Sequence, residues 1–98
     1  MTTLEALARE LLASVQAAWE EDLRWSAWLA SEGERVRDNA QALAEAASTA
    51  TLQNLVGAAT VHDYLGYSWL EVHSVSRERA DALQAALVSA GDASASDR

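Results

Sequence analysis

The segment Val61–Ser74, with the sequence VHDYLGYSWLEVHS, concentrates the residues of this chain that could perform chemistry. It contains both histidines, His62 and His73, together with two carboxylates and both tyrosines. Imidazole and carboxylate groups are ligands that suit zinc and iron, and a histidine with a carboxylate is also a common pair in acid–base catalysis. The two histidines are therefore the first candidates for a metal site or a catalytic site.

The spacing of the histidines argues against a metal site within one chain. On a continuous helix, the 11 residues from His62 to His73 span about 16 Å, whereas both ligands must lie about 2 Å from a metal. The chain also lacks the spacings H-x-x-x-H, H-E-x-x-H and E-x-x-H. We therefore expect no metal and no cofactor. His62 stays a candidate general base, because imidazole exchanges protons near neutral pH.

A long first helix has to support any such site, and two of its residues break its pattern. This helix is predicted from Thr2 to about Ser31, where Gly33 in the sequence SEGE indicates a helix stop. Its apolar side chains, Trp25 among them, fall within one arc roughly 160° wide. Asp22 projects into this arc, so it is either a buried functional carboxylate or, as we favour, a structural group paired with an arginine or placed at the core rim. Trp28 lies on the polar side, where we expect the second helix to cover it, or else a partner to bind it.

The other segments are also rich in helix-forming residues, and proline is absent. A second helix fits Glu34 to about Ala47, and Ser76 is placed to cap a last helix that ends at Gly91. We predict a mainly α fold, a small antiparallel three- or four-helix bundle, with one helical domain over residues 1–90 and a flexible tail over residues 91–98.

The segment from Leu52 to His73 has two interpretations. As a helix, it places apolar residues at intervals of three and four and turns Trp69 and both histidines toward the core. As part of an α+β fold, residues 60–75 form a β-hairpin, because YSWLEVHSV is rich in aromatic and branched residues. We favour the helix. The predicted core residues are Leu11, Val15, Trp19, Leu23, Leu55, Leu65 and Trp69.

The charge balance disfavours several classes of partner. Fifteen acidic residues stand against seven arginines and no lysine, a net charge of −8, which disfavours nucleic acids and anionic membranes. The chain has neither an apolar run long enough to span a bilayer nor the start of a signal peptide. We expect a cytoplasmic protein, or one exported without a cleaved signal. Arginine without lysine is typical of a GC-rich coding genome and suggests a bacterial source.

These features favour a non-catalytic protein-interaction module. Four tryptophans in 98 residues are more than a small core can hide, which indicates a homodimer or an accessory subunit that binds another protein. The expected partner-binding residues are Trp28, Tyr64, Tyr67 and Trp69.

The alternative function is that of a small enzyme or a ligand-binding helical bundle. In this interpretation His62 or His73 works with a carboxylate, Asp22 being the candidate, in a tryptophan-lined pocket that includes Trp25 and binds a small molecule. The candidate catalytic residues are then His62, His73 and Asp22.

Overall fold

The computed structural model describes residues 4–46, 49–57 and 59–96, which form helices and contain no strand. The helices are α1 (Leu4–Trp25), α2 (Ala27–Glu45), α3 (Thr49–Val56), α4 (Val61–Leu65), α5 (Tyr67–Glu71) and α6 (Ser74–Ser96). The predicted mainly α fold class is confirmed. The α+β alternative is wrong, because α4, α5 and the start of α6 occupy residues 60–75.

Helix α1 ends earlier than predicted, because Ser26 separates it from α2. The backbone of Ser26 is extended (φ −153°, ψ 105°), and its hydroxyl accepts a hydrogen bond from the Leu29 N–H at 3.3 Å. Serine is among the best residues at a helix N-cap, so one residue ends α1 and starts α2. The chain reverses here, and the indole Nε1 of Trp19 donates to the carbonyl of Ala30 at 3.0 Å.

The segment from Leu52 to His73 is helical but is divided into α3, α4 and α5. Gly57 and Gly66 have φ angles of +65° and +137°, a region that side chains with a β-carbon rarely adopt. The two glycines therefore end helices, although the sequence pattern had placed them inside one. Thr60 starts α4, and its hydroxyl accepts from the Asp63 N–H at 3.1 Å.

Helix α6 begins at Ser74, two residues before the predicted cap, and its backbone stays helical to Ser96. The predicted helix end at Gly91 is therefore wrong. Flexibility of residues 91–98 stays a prediction, and Asp97 and Arg98 lie outside the described residues, as does the predicted first residue of α1, Thr2.

Helix α1 packs against both α2 and α6. The hydroxyls of Ser14 and Ser76 lie 3.2 Å apart, and Glu10 and Arg79 form an ion pair at 3.7 Å, so α1 and α6 run antiparallel. Within the ranges described above, no helix has the length and apolar character needed to cross a bilayer.

The core contains most of the predicted residues. Leu11, Val15, Leu65 and Trp69 are buried, and Trp19 is half-buried. Leu23 and Leu55 are 57% and 38% exposed, so their assignment to the core is wrong. Leu23 lies in the last turn of α1 and Leu55 in the last turn of α3. At these helix ends no neighbouring helix of the described residues covers the two side chains.

Candidate functional site

The first candidate site is a polar cluster formed by Asp22, Trp69 and His73. The Asp22 side chain is 9% exposed, and its Oδ2 accepts a hydrogen bond from the indole Nε1 of Trp69 at 3.3 Å. His73 places Nε2 2.9 Å from the same oxygen. Burial of an isolated carboxylate costs several kcal/mol, and the hydrogen bond from Trp69 offsets part of this cost.

Three elements bring the polar cluster together. Asp22 follows Val15 by seven residues, two helical turns, and so shares the core-facing side of α1. Trp69 lies on α5, and His73 lies in the short turn between α5 and α6. Their rings are 3.9 Å apart between centroids and inclined by 37°. The cluster therefore fastens the α5–α6 junction to α1.

The contact between His73 and Asp22 is short but poorly directed. Nε2 of His73 is buried and makes no hydrogen bond of good geometry within the described residues, although Oδ2 of Asp22 lies 2.9 Å away. The distance and the missing hydrogen bond are consistent when the N–H axis points away from the oxygen. This contact is therefore a close approach of two polar groups, in contrast to the hydrogen bond that Trp69 donates.

His73 also lines a surface depression of about 230 Å³. The lining residues are Ser14, Ala18, Val72, His73, Ser74, Val75 and Ser76. Ser14 donates to the carbonyl of Leu11 at 2.8 Å and accepts from Ser76, so both hydroxyls are already engaged. The depression offers an imidazole to a small polar molecule, but no serine in the described residues is hydrogen-bonded to His73 as an activated nucleophile would be.

His62 has a different partner. Its Nε2 lies 2.5 Å from Oδ1 of Asp81 on α6, and next to it the Val61 N–H donates to Oε1 of Gln84 at 2.8 Å. These contacts hold α4 on α6. The two histidines thus lie beside separate carboxylates, and of the two candidates it is His73, not His62, that lies beside Asp22. The partnership with Asp81, 19 residues along the chain, had no signal in the local sequence.

The arrangement offers no metal centre of the usual kind within the part of the chain that the structure describes. No group of three or more histidine, cysteine, aspartate or glutamate side chains lies close enough to hold an ion there.

Gly33 on α2 packs against the indole of Trp69, a member of the polar cluster. A β-carbon at this position would lie 2.8 Å from Nε1 of Trp69 and 3.0 Å from Cδ1 of Trp19. The sequence had indicated a helix stop at this glycine. Instead Gly33 lies inside α2 and is buried, because only a residue without a side chain allows both tryptophans to approach the helix so closely.

The half-buried Trp19 also receives a cation. The guanidinium carbon of Arg37 lies 4.3 Å from the centre of its ring, and Nη2 of Arg37 is 3.3 Å from Oδ1 of Asp38. The guanidinium over the ring is a cation–π interaction, and the contact with Asp38 adds a charge-assisted hydrogen bond.

The second candidate site is the hairpin tip, residues 20–28, where α1 turns into α2. Within it only Asp22 is buried and Ser26 half-buried. Leu23, Trp25 and Trp28 are 57%, 78% and 68% exposed. Residues of both helices, Leu23 among them, line a surface depression of about 290 Å³. Large exposed apolar side chains grouped at one end of a small protein are typical of a binding surface.

For two residues of the hairpin tip, the structure differs from the sequence prediction. The second helix was expected to cover Trp28, but the chain already reverses at Ser26, so Trp28 lies on α2 itself and is exposed. Trp25 was assigned to the apolar arc. It projects to the surface, where its Nε1 donates to Oε1 of Glu21 at 2.8 Å.

The other predicted partner-binding residues lie elsewhere. Tyr67 is 56% exposed on α5, and Tyr64 is half-buried against the core. Trp69 is 2% exposed and belongs to the core, so its indole is not on a surface that a partner reaches. Leu23 and Trp25 take its place as exposed candidates.

Known proteins give no further guide to these two sites. No protein family model, no curated protein sequence and no solved structure matches this chain.

Proposed function

We propose that this protein is a non-catalytic interaction module, a small antiparallel helical bundle that binds another protein chain through its hairpin tip. The supporting observation is the exposure of Trp25, Trp28 and Leu23 together at one turn of the chain. Tryptophan is enriched among the residues that contribute most binding energy in protein interfaces. The bound chain is a second copy of this protein or a different subunit.

The energy available from the hairpin tip is consistent with this role. A buried tryptophan removes about 150–250 Å² from water, so covering the exposed parts of Trp25 and Trp28 removes about 300 Å². At about 25 cal/mol per Å², this stabilises a complex by roughly 7 kcal/mol before the entropic cost of association. A standard interface covers about 800 Å² on each partner, so the indoles would form its centre and the polar side chains around them its rim.

The test is to replace both tryptophans and measure association. We expect the Trp25→Ala/Trp28→Ala double variant to bind its partner at least about tenfold more weakly, since each indole is an anchor. The measurement combines sedimentation of the purified protein with quantitative co-purification from its native cells. Both side chains are exposed, so the free energy of unfolding should change by less than about 0.5 kcal/mol.

The matched control is Val88→Ala, which removes an apolar side chain that is 53% exposed on α6. Its association should equal that of the parent protein. A double variant that associates as tightly as Val88→Ala would contradict the proposal.

A second candidate function has one specific observation in its favour. His73, in the wall of the 230 Å³ depression, lies 2.9 Å from the buried carboxylate of Asp22. In this alternative the protein is a ligand-binding bundle or a small enzyme, in which Asp22 holds the imidazole and His73 donates to, or accepts a proton from, a small polar ligand.

A screen of small polar molecules by NMR distinguishes this alternative. A ligand at the depression should shift the ring signals of His73 and leave those of His62 unchanged, because His62 pairs with Asp81. If both histidines respond equally, or neither responds, the alternative fails.

A further inference from the structure

We infer that Trp25 and Glu21 form a binding site for an arginine side chain of the partner, so that the partner is a cationic protein surface and not a second copy of this chain. This inference rests on the proposed function of the hairpin tip. It adds the chemistry of the group that is bound.

The geometry of the pair is suited to a guanidinium group. The hydrogen bond from Nε1 of Trp25 to Oε1 of Glu21 holds the indole beside the carboxylate, and the indole is 78% exposed. The ring offers its electron-rich face, and the second carboxylate oxygen of Glu21 is available for an ion pair. Aromatic faces attract guanidinium groups, and a neighbouring carboxylate adds a charge-assisted hydrogen bond.

Elsewhere in this molecule, an aromatic ring with a nearby carboxylate already binds an arginine. Arg37 lies 4.3 Å above the ring of Trp19 and 3.3 Å from the carboxylate of Asp38. Trp19 with Asp38 and Trp25 with Glu21 thus present the same two chemical groups. The first pair holds an arginine of this chain, and within the described residues no cation of the chain lies against the second.

The charges around the hairpin tip favour a cationic partner. The exposed acids of residues 20–35 are Glu20, Glu21, Glu32 and Glu34, and the exposed arginines are Arg24 and Arg35. Four negative and two positive charges leave a local charge of −2. A cationic surface would be attracted to this region at long range, and its charges would be complementary to the acids of the tip in the complex.

The same charges disfavour a second copy. Two chains of charge −8 would form a dimer of charge −16, with the acids of both tips brought together. Like charges placed face to face across an interface cost several kcal/mol. In a dimer formed through the two tips, each copy would contribute only Arg24 and Arg35 against its four exposed acids, so the acids would not be neutralised.

The test uses a short amphipathic helical peptide of leucine, alanine and arginine, and a matched peptide in which citrulline replaces every arginine. Citrulline keeps the planar shape of arginine but carries no charge. The readout is the set of four indole N–H signals in the nitrogen–proton NMR spectrum. We expect the arginine peptide to shift the Trp25 signal, the citrulline peptide to leave it unchanged, and added salt to weaken the effect.

Variants test the two members of the pair. Glu21→Gln should weaken binding of the arginine peptide by about threefold, and Trp25→Leu by about fivefold. Glu20→Gln is the matched control, because Glu20 is the neighbouring exposed acid, whereas the indole of Trp25 donates to Glu21. It should bind like the parent protein.

The outcomes separate this inference from the proposed function. Equal binding of both peptides, or equal losses in Glu21→Gln and Glu20→Gln, would overturn the arginine site. A concentration-dependent dimer that is lost in Trp25→Ala/Trp28→Ala would also overturn it, yet would leave the hairpin tip as the interaction surface. The proposed function itself fails if that double variant keeps its association with every partner.

Discussion

At the scale of single residues, Asp22 decides how the core is organised. It is a carboxylate on the core-facing side of α1, and it accepts a hydrogen bond from Trp69 and pairs with His73. A buried polar group of this kind specifies one arrangement of its neighbours, since any other arrangement leaves it without partners. The three residues therefore fix where the α5–α6 junction lies along α1.

Replacement of Asp22 should be costly for stability. Asp22→Ala leaves the indole N–H of Trp69 buried without its acceptor and removes the carboxylate beside His73, and we expect a loss of about 1–3 kcal/mol in the free energy of unfolding. Urea denaturation followed by circular dichroism measures it. Glu20→Ala, at an exposed acid of the same helix, should change stability by less than about 0.5 kcal/mol. An Asp22→Ala protein as stable as Glu20→Ala would contradict the structural role.

Gly33 gives a second prediction at this scale. Alanine is intrinsically better than glycine in a helix by about 1 kcal/mol, so an exposed glycine would gain from the change. At Gly33 the added β-carbon would meet Trp69 at 2.8 Å, and we expect Gly33→Ala to lose about 1–3 kcal/mol through overpacking. Thermal unfolding tests this. Ser31→Ala, at an exposed position of α2, should be neutral or stabilising, and a stabilised Gly33→Ala would refute the close approach.

The sequence identified Asp22 as an exception because helix periodicity is a local property. It could not identify Trp69 as the donor, since 47 residues separate the two and only the complete fold brings them together. The same limit applies to Gly33. A glycine between glutamates has the appearance of a helix stop, and its role against Trp19 and Trp69 depends on packing that no local pattern records.

At the scale of the secondary-structure elements, the helix ends determine the architecture. Composition was sufficient to predict a helical chain, because alanine-rich segments without proline favour helices throughout. It was not sufficient to place the boundaries. Ser26 and Thr60 act as N-caps and Gly66 ends α4, whereas the apolar pattern continues across all three positions. Exposure of Trp28 follows from the early turn at Ser26.

The two left-handed glycines give a prediction at the scale of the elements. Gly66→Ala places a β-carbon 3.0 Å from Cγ2 of Val36 at a φ of +137°, whereas Gly57→Ala at +65° meets nothing within 4 Å. A left-handed backbone costs a residue with a β-carbon about 1–2 kcal/mol, so both variants lose stability. Gly66→Ala should lose more, because the contact with Val36 adds to the backbone cost. Parallel urea titrations measure the difference, and a larger loss in Gly57→Ala would contradict this account.

At the scale of the whole molecule, the last turn of α1 joins the interior to the surface, because it carries both the buried Asp22 and the exposed Trp25. In the core the buried carboxylate of Asp22 accepts a hydrogen bond from Trp69, while the end of the α1–α2 hairpin leaves the indoles of Trp25 and Trp28 in water. Exposed tryptophans contribute nothing to the core, and they lie among acids that would attract a cationic partner. The contrast between a buried polar cluster and exposed indoles supports a scaffold whose interior maintains the fold and whose hairpin tip binds another protein chain.

Photo-crosslinking from the hairpin tip tests the central claim most directly. Trp28 is replaced by p-benzoylphenylalanine, and a matched protein carries the same replacement at Val88, which is also exposed but lies on α6. After irradiation in native cells, we predict that the protein labelled at position 28 is linked to a partner protein chain, and that the protein labelled at position 88 is not. Equal crosslinking from the two positions, or crosslinking from position 88 alone, would contradict the proposal that the hairpin tip is the binding surface.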